Sequence, residues 1–136
     1  MAGRRRKREK EDEFMNSMNG VEKGRRGEDL AVAFLLERGY RILQRNWRKK
    51  TGEIDIIADK SGMLVFCEVK SRRGCSFGAG AEAVDARKQH RIIQTALLYL
   101  QYFRLVDRQC RFDVIEIDFS DQEFPAVHHI PNAFGG

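Results

Sequence analysis

What this sequence has little of narrows the field first. Only three cysteines, Cys67, Cys75 and Cys110, occur in 136 residues. None forms a CxxC pair and the count is odd, which argues against a disulfide framework and against a zinc site. With no signal peptide ahead of them, they read as reduced thiols of a cytoplasmic protein. No apolar run approaches the ~18 residues needed to span a bilayer, which excludes a membrane protein. There is no internal repeat. Nor is there a large excess of one charge: 25 Lys and Arg against 20 Asp and Glu give a net charge of +5. That balance is compatible with a phosphate-bearing partner but does not establish one.

What is present fits one domain with one sizeable core, given a hydrophobic content of 42% and nine Phe. Residues 1–21 stand apart as a tail, and 22–136 form the domain. The tail opens with Arg4-Arg5-Arg6-Lys7-Arg8 and runs into Glu11-Asp12-Glu13 without hydrophobic periodicity. Such a segment buries too little apolar surface to offset its ordering entropy, so it is expected to be disordered or at most a frayed helix. It reads as a basic arm that touches phosphates, as a solvated tail, or as an extension ahead of a true start at Met15 or Met18.

From Gly24 the pattern becomes regular. Leu30, Ala31, Phe34 and Leu35 recur at helical spacing, and Gly39 follows as a C-cap. Tyr40 to Trp47, Glu53 to Ala58 and Met63 to Lys70 read as three strands. Lys49-Lys50-Thr51-Gly52 and Asp59-Lys60-Ser61-Gly62 are the turns between them. A loop from Ser71 to Gly80, with three glycines, is expected to be mobile or shaped around a ligand. A second helix spans Val84 to about Phe103, with Ile92, Ile93, Ala96, Leu97 and Leu100 as its buried stripe. A fourth strand covers Arg111 to Phe119, and Val127 to Ile130, with Pro131-Asn132-Ala133-Phe134 after it, reads as a short edge strand. The fold class is α/β, one layer of mixed sheet with helices packed on it.

Two acids sit where acids are costly. Asp55 lies within Ile54-Asp55-Ile56-Ile57, and Glu68 within Val65-Phe66-Cys67-Glu68-Val69, both nearly continuous apolar runs of central strands. A carboxylate there costs several kcal/mol unless protonated, paired or bound to metal. Alternation puts Glu68 and Lys70 on one face. A symmetric hairpin turning at Lys60-Ser61 sets Asp55 opposite Phe66, making Asp55 and Glu68 diagonal neighbours with backbones roughly 7–8 Å apart. A slip of one residue would separate the acids, so the geometry depends on an even-numbered turn. Two carboxylates plus water suit Mg²⁺ or Mn²⁺. Lys70 is then placed to orient or deprotonate a water, or to steady a pentavalent transition state. The set has the parts for phosphodiester hydrolysis, although a Glu–Lys pair on one face is equally a plain salt bridge. Glu28, in the first helix, is either a carboxylate on the helix dipole or a third oxygen ligand.

Gly27-Glu28, Gly39-Tyr40 with Asn46, Gly52-Glu53-Ile54-Asp55-Ile56-Ile57-Ala58, Phe66-Cys67-Glu68-Val69-Lys70-Ser71-Arg72, Ala83-Val84-Asp85 with Lys88, and Asn132-Ala133-Phe134 together resemble the YraN-like bacterial family. The likeness runs from about Gly24 to Phe134. That family is assigned by similarity to the PD-(D/E)xK, or restriction-endonuclease-like, nuclease superfamily, and it resembles small Holliday junction resolvases. The resemblance implies an αβββαβ core, a nucleic-acid substrate and a divalent metal. It matches Asp55 to the superfamily's first acid, Glu68 and Lys70 to its (D/E)xK pair, Glu28 to its helical acid and Lys88 to an accessory helix position. Ile54 stands where the motif has Pro, and Cys67 where Val is expected. Neither departure removes a catalytic group.

Lys49, Lys50, Arg72, Arg73, Arg87, Lys88 and Arg91 flank the site in sequence and are the expected phosphate contacts. Gln89 and His90 carry less information. His128-His129 point to opposite faces of a strand and make a poor metal pair, and Trp47 reads as packing rather than base stacking. Three functions follow: a metal-dependent nuclease acting on DNA, on branched or damaged forms among others; a catalytically silent nucleic-acid-binding module; or an adaptor whose acids and lysine form a structural network. A homodimer is expected because two strands need two sites.

Overall fold

The computed structural model describes residues 20–73 and 84–135. Helix α1 spans Gly20–Glu37, followed by strands β1 Arg41–Lys49, β2 Gly52–Lys60 and β3 Met63–Arg72. Helix α2 is Ala86–Tyr102, and strands β4 Cys110–Asp118 and β5 Ala126–Phe134 complete the chain. The order through β4 is the expected αβββαβ core. The helix begins earlier than expected, so Gly20 and Val21 belong to α1 rather than to the tail, whose remaining residues 1–19 lie outside the described ones. The glycine-rich segment 74–83 also lies outside them.

Among the described residues, one sheet of five strands runs in the order β1-β2-β3-β4-β5. The first three form an antiparallel meander; β3 and β4 are parallel, joined through α2, and β5 returns antiparallel along β4. β3 is therefore the central strand, which explains why its burial is nearly continuous. α1 covers one face, packing Ala31 and Leu35 on Ile56, Ala58, Val65, Ile115 and Ile117. α2 covers the other, packing Ile92, Ala96, Tyr99 and Leu100 on Ile54, Ile57, Leu64, Phe66 and Val114.

Local chemistry sets the boundaries. α1 closes in a Schellman motif, with the Tyr40 N–H bonded to Leu35 O and the Gly39 N–H to Leu36 O, and Gly39 at φ +84°. Gly27 allows α1 to approach β3, since a Cβ there would meet the Ser71 side chain at 1.8 Å. Asp85 caps α2 by accepting the Lys88 N–H at 2.8 Å. The stripe expected on α2 is corrected at Leu97, which is 52% exposed. Tyr99 takes its place because the buried face runs through Ile92, Thr95, Ala96, Tyr99 and Leu100.

The β2–β3 hairpin corrects a second expectation. Its turn is Ser61-Gly62, both at positive φ (50° and 87°), and Lys60 pairs with Met63. The register therefore places Phe66 opposite Ile57, not opposite Asp55. The displacement is an even number of residues, so Asp55 and Glu68 keep their shared side of the hairpin. β5 is the expected edge strand, from Ala126 to Phe134, and Pro131 falls where its register against β4 shifts between Phe112 and Val114, an irregularity that tolerates proline.

Candidate active site

β3 alternates as a regular strand: Phe66 joins the α2-side core and Cys67 the α1-side core, so Glu68 and Lys70 face α2. β2 does not. Ile54 and Ile57 belong to the α2 side, while Ile56 and Ala58 belong to the α1 side. The pleat therefore breaks at Asp55. The β2–β3 pairing also ends there, at Ile56 opposite Cys67. In place of a main-chain acceptor, Asp55 Oδ2 takes the Val69 N–H at 2.8 Å. Two strands thus part at Asp55, and the carboxylate bridges the gap.

The opening is lined by charge. On the α2 side a cleft of about 590 Å³ is bordered by Asp55, Glu68, Asp85, Arg87, Lys88 and Arg91. On the α1 side a second cleft of about 620 Å³ is bordered by Arg25, Glu28, Arg45, Asn46, Arg48 and again Asp55. Glu68, 5% exposed, receives Lys88 Nζ at 2.6 Å and has Lys70 Nζ at 3.9 Å. Burial, then the negative charge of Glu68, push the Asp55 carboxyl up to about 7 against the opposing pull of the Val69 N–H. Burial and the neighbouring Lys88 ammonium lower Lys70. Burial alone would lower Lys88 too, but its hydrogen bond to Glu68, the Glu68 charge, Lys70 and the Asp55 charge together outweigh that and raise it.

The fold therefore gathers Asp55, Glu68, Lys70 and Lys88, with Arg87 and Arg91 at the rim of the same cleft. Arg72 ends β3, and its carbonyl accepts the Phe119 N–H at 2.8 Å; Arg73 follows it. Lys49 and Lys50 line neither cleft, and Lys49 Nζ sits over the rings of Trp47 and Tyr102 at 5.0 and 5.2 Å. Trp47 packs edge-on against Tyr99 with ring centroids 5.2 Å apart. Glu28 borders the α1-side cleft with Asp55, whose carboxyl its charge also helps to raise. It is buried on α1 and accepts from Arg45 Nε at 2.8 Å and Asn46 Nδ2 at 2.9 Å. Among the described residues no group of three His, Cys, Asp or Glu is close enough to hold a metal ion. Two carboxylates can still fit a divalent cation that keeps several of its waters, and a cation would offset both the burial and the Glu68 repulsion that raise Asp55.

Two buried acids escaped the sequence reading. Asp113, 0% exposed, accepts from Arg111 at 2.8 Å and from the Asn132 N–H at 2.9 Å, and its Oδ2 lies 2.6 Å from His129 Nε2. Burial alone would raise this carboxyl, but His129, Arg111 and the Asn132 N–H together hold it below the usual range. The cluster clasps edge strand β5 to β4 and leaves His129 committed to a carboxylate. Glu116, 1% exposed, pairs across the sheet with Lys70. Both acids lie in the apolar run of β4, the same signal that drew attention to Asp55.

Fold and site define a mixed α/β protein with an acid–lysine cluster where two strands of its sheet separate. The profile of uncharacterised protein family UPF0102 matches residues 27–117, which include every member of that cluster. A UPF0102 protein of Trichlorobacter lovleyi is 46% identical over 109 residues, covering 79% of this chain and 86% of its own. One from Chlorobium phaeobacteroides is 50% identical over 117 residues, with coverage of 82% and 92%. Another, from Dictyoglomus turgidum, is 43% identical over 118 residues, with coverage of 86% and 100%. The chain belongs to the UPF0102 family, the YraN-like group that its motifs resemble. No helix among the described residues is long and apolar enough to cross a membrane.

Proposed function

We propose that the protein is a divalent-metal-dependent nuclease that hydrolyses DNA phosphodiester bonds. The observation that carries this reading is the meeting of Asp55 and Glu68 beside Lys70 at the point where β2 and β3 part. Mg²⁺ or Mn²⁺ bound by the two carboxylates would neutralise phosphoryl charge and acidify a water. Lys70, lowered by burial and by Lys88, gives up its proton more readily than a surface lysine and faces the Glu68 oxygens. It is suited to steady the attacking water or accept its proton. Arg87 and Arg91 at the cleft rim hold the flanking phosphates. Cys67 and Cys110, both free thiols, suit the reducing cytoplasm, and a homodimer would present two sites to two strands.

The second reading, a silent nucleic-acid-binding module, draws on Lys88 occupying Glu68 and on the lack of a three-acid cluster among the described residues. The two are separated by incubating the chain with branched, single-stranded and duplex DNA in Mg²⁺ or Mn²⁺. The nuclease reading expects cutting by the wild type and none by Glu68→Ala or Lys70→Ala. DNA binding without cutting in any of these mixtures would leave the silent module.

A further inference from the structure

The cluster holds one more cation than hydrolysis requires. Lys88 Nζ lies 2.6 Å from Glu68 Oε1, a short charge-assisted contact, whereas Lys70 at 3.9 Å is outside hydrogen-bonding range. Only one end of the pair is fixed. The Glu68 side chain is 6% exposed and that of Lys88 45%. A carboxylate this buried is costly without a counter-charge, and Lys88 supplies the closest one. The backbone under Lys88 is held by the Asp85 cap, so the ammonium can move on its flexible stem without disturbing α2. Its free path leads into the cleft that it borders with Arg87 and Arg91.

We propose that Lys88 is a built-in counter-ion: it neutralises Glu68 in the metal-free protein, yields that carboxylate to an entering divalent cation, and is then released to meet a phosphate oxygen of the nucleic acid. This rests on the reading of Asp55 and Glu68 as cation ligands. Metal entry and phosphate capture become one coupled event, because the same ammonium cannot serve Glu68 and a phosphate at once.

The test is calorimetric titration of Mn²⁺ into the full chain, stripped with EDTA, for the wild type, Lys88→Met, Lys88→Arg and Arg91→Met. Lys88→Met removes the competitor and should bind Mn²⁺ about tenfold tighter, the scale of one charge-assisted hydrogen bond. Lys88→Arg keeps a cation at the site and should bind Mn²⁺ no tighter than wild type. Arg91→Met, which removes a charge from the same cleft without one of the Glu68 contacts above, should also stay within about twofold. Equal or weaker binding by Lys88→Met overturns the counter-ion role and leaves the metal reading standing. Equal tightening by Arg91→Met also overturns it, because the effect would then be the general field of the cleft. No isotherm for any of the four proteins removes the cation reading and this proposal together. In a second arm, Lys88→Met should weaken binding of a duplex oligonucleotide about tenfold in Ca²⁺ and no more than about twofold in EDTA. Equal loss in both conditions refutes the release.

Discussion

Asp55→Asn should make the metal-free protein more stable, and only above a defined pH. The wild-type carboxyl is raised from 3.8 to about 7 by burial and by the Glu68 charge. Between those values the native state holds a proton that the unfolded chain has released, so wild-type stability falls as pH rises from about 4 to about 7. The span is about three pKa units, at most about 4 kcal/mol, and less wherever water reaches the parted strands. Asparagine removes the titration, while its amide oxygen still accepts the Val69 N–H. The variant and wild type should therefore unfold at similar urea concentrations at pH 4. The variant should gain progressively to pH 7 and hold a constant advantage above it. Urea denaturation in EDTA across pH 4 to 8 measures this, since other carboxylates titrate in both proteins and largely cancel in the difference. A variant that loses stability equally at every pH would refute the account of two repelling acids.

Adding Mn²⁺ to the wild type at pH 8 should raise its melting temperature in a concentration-dependent way, and EDTA should reverse the shift; a scan with Glu68→Ala should show no such rise. Asp113→Ala should destabilise by about 3–5 kcal/mol, since it leaves Arg111 and His129 without their buried partner, which urea unfolding will register. Gly39→Ala, at φ +84° in the α1 cap, should cost about 1–2 kcal/mol by the same assay without altering metal binding. Leu35→Ala should cost about 2–5 kcal/mol, because Leu35 is fully buried between α1 and the sheet.

The candidate site was legible because its residue types conflict with their surroundings. Asp55 and Glu68 stand in apolar strands, and strand alternation puts Glu68 and Lys70 on one face. The hairpin register inferred from the turn was wrong by an even step, and side-chain parity is unchanged by an even step, so the pairing of the acids survived the error. Parity also hides the break at Asp55, which shows only when Ile54 and Ile56 are found on opposite faces. Long-range partners are another matter. Glu28 read either as a carboxylate on the helix dipole or as a third ligand, and its hydrogen bonds from Arg45 and Asn46, 17 and 18 residues away, belong to neither pattern. Asp113 holds Arg111, which reaches Tyr40 across 71 residues of sequence, and no local pattern announces that. Lys88 was expected to be a phosphate contact from its position. Its hold on Glu68 depends on where Asp85 starts α2 and hence on the phase of the helix, which sequence periodicity fixes only to within a residue or two.

Whether Asp55, Glu68 and Lys70 form a nuclease site is decided by cleavage of a labelled branched DNA in Mn²⁺ by the wild type and by Lys70→Met, side by side. The wild type should cut, and Lys70→Met should stay folded and bind Mn²⁺ while its rate falls by about a hundredfold or more. Equal rates for both proteins, or no cutting by a wild type that binds both Mn²⁺ and the DNA, would contradict a nuclease site there.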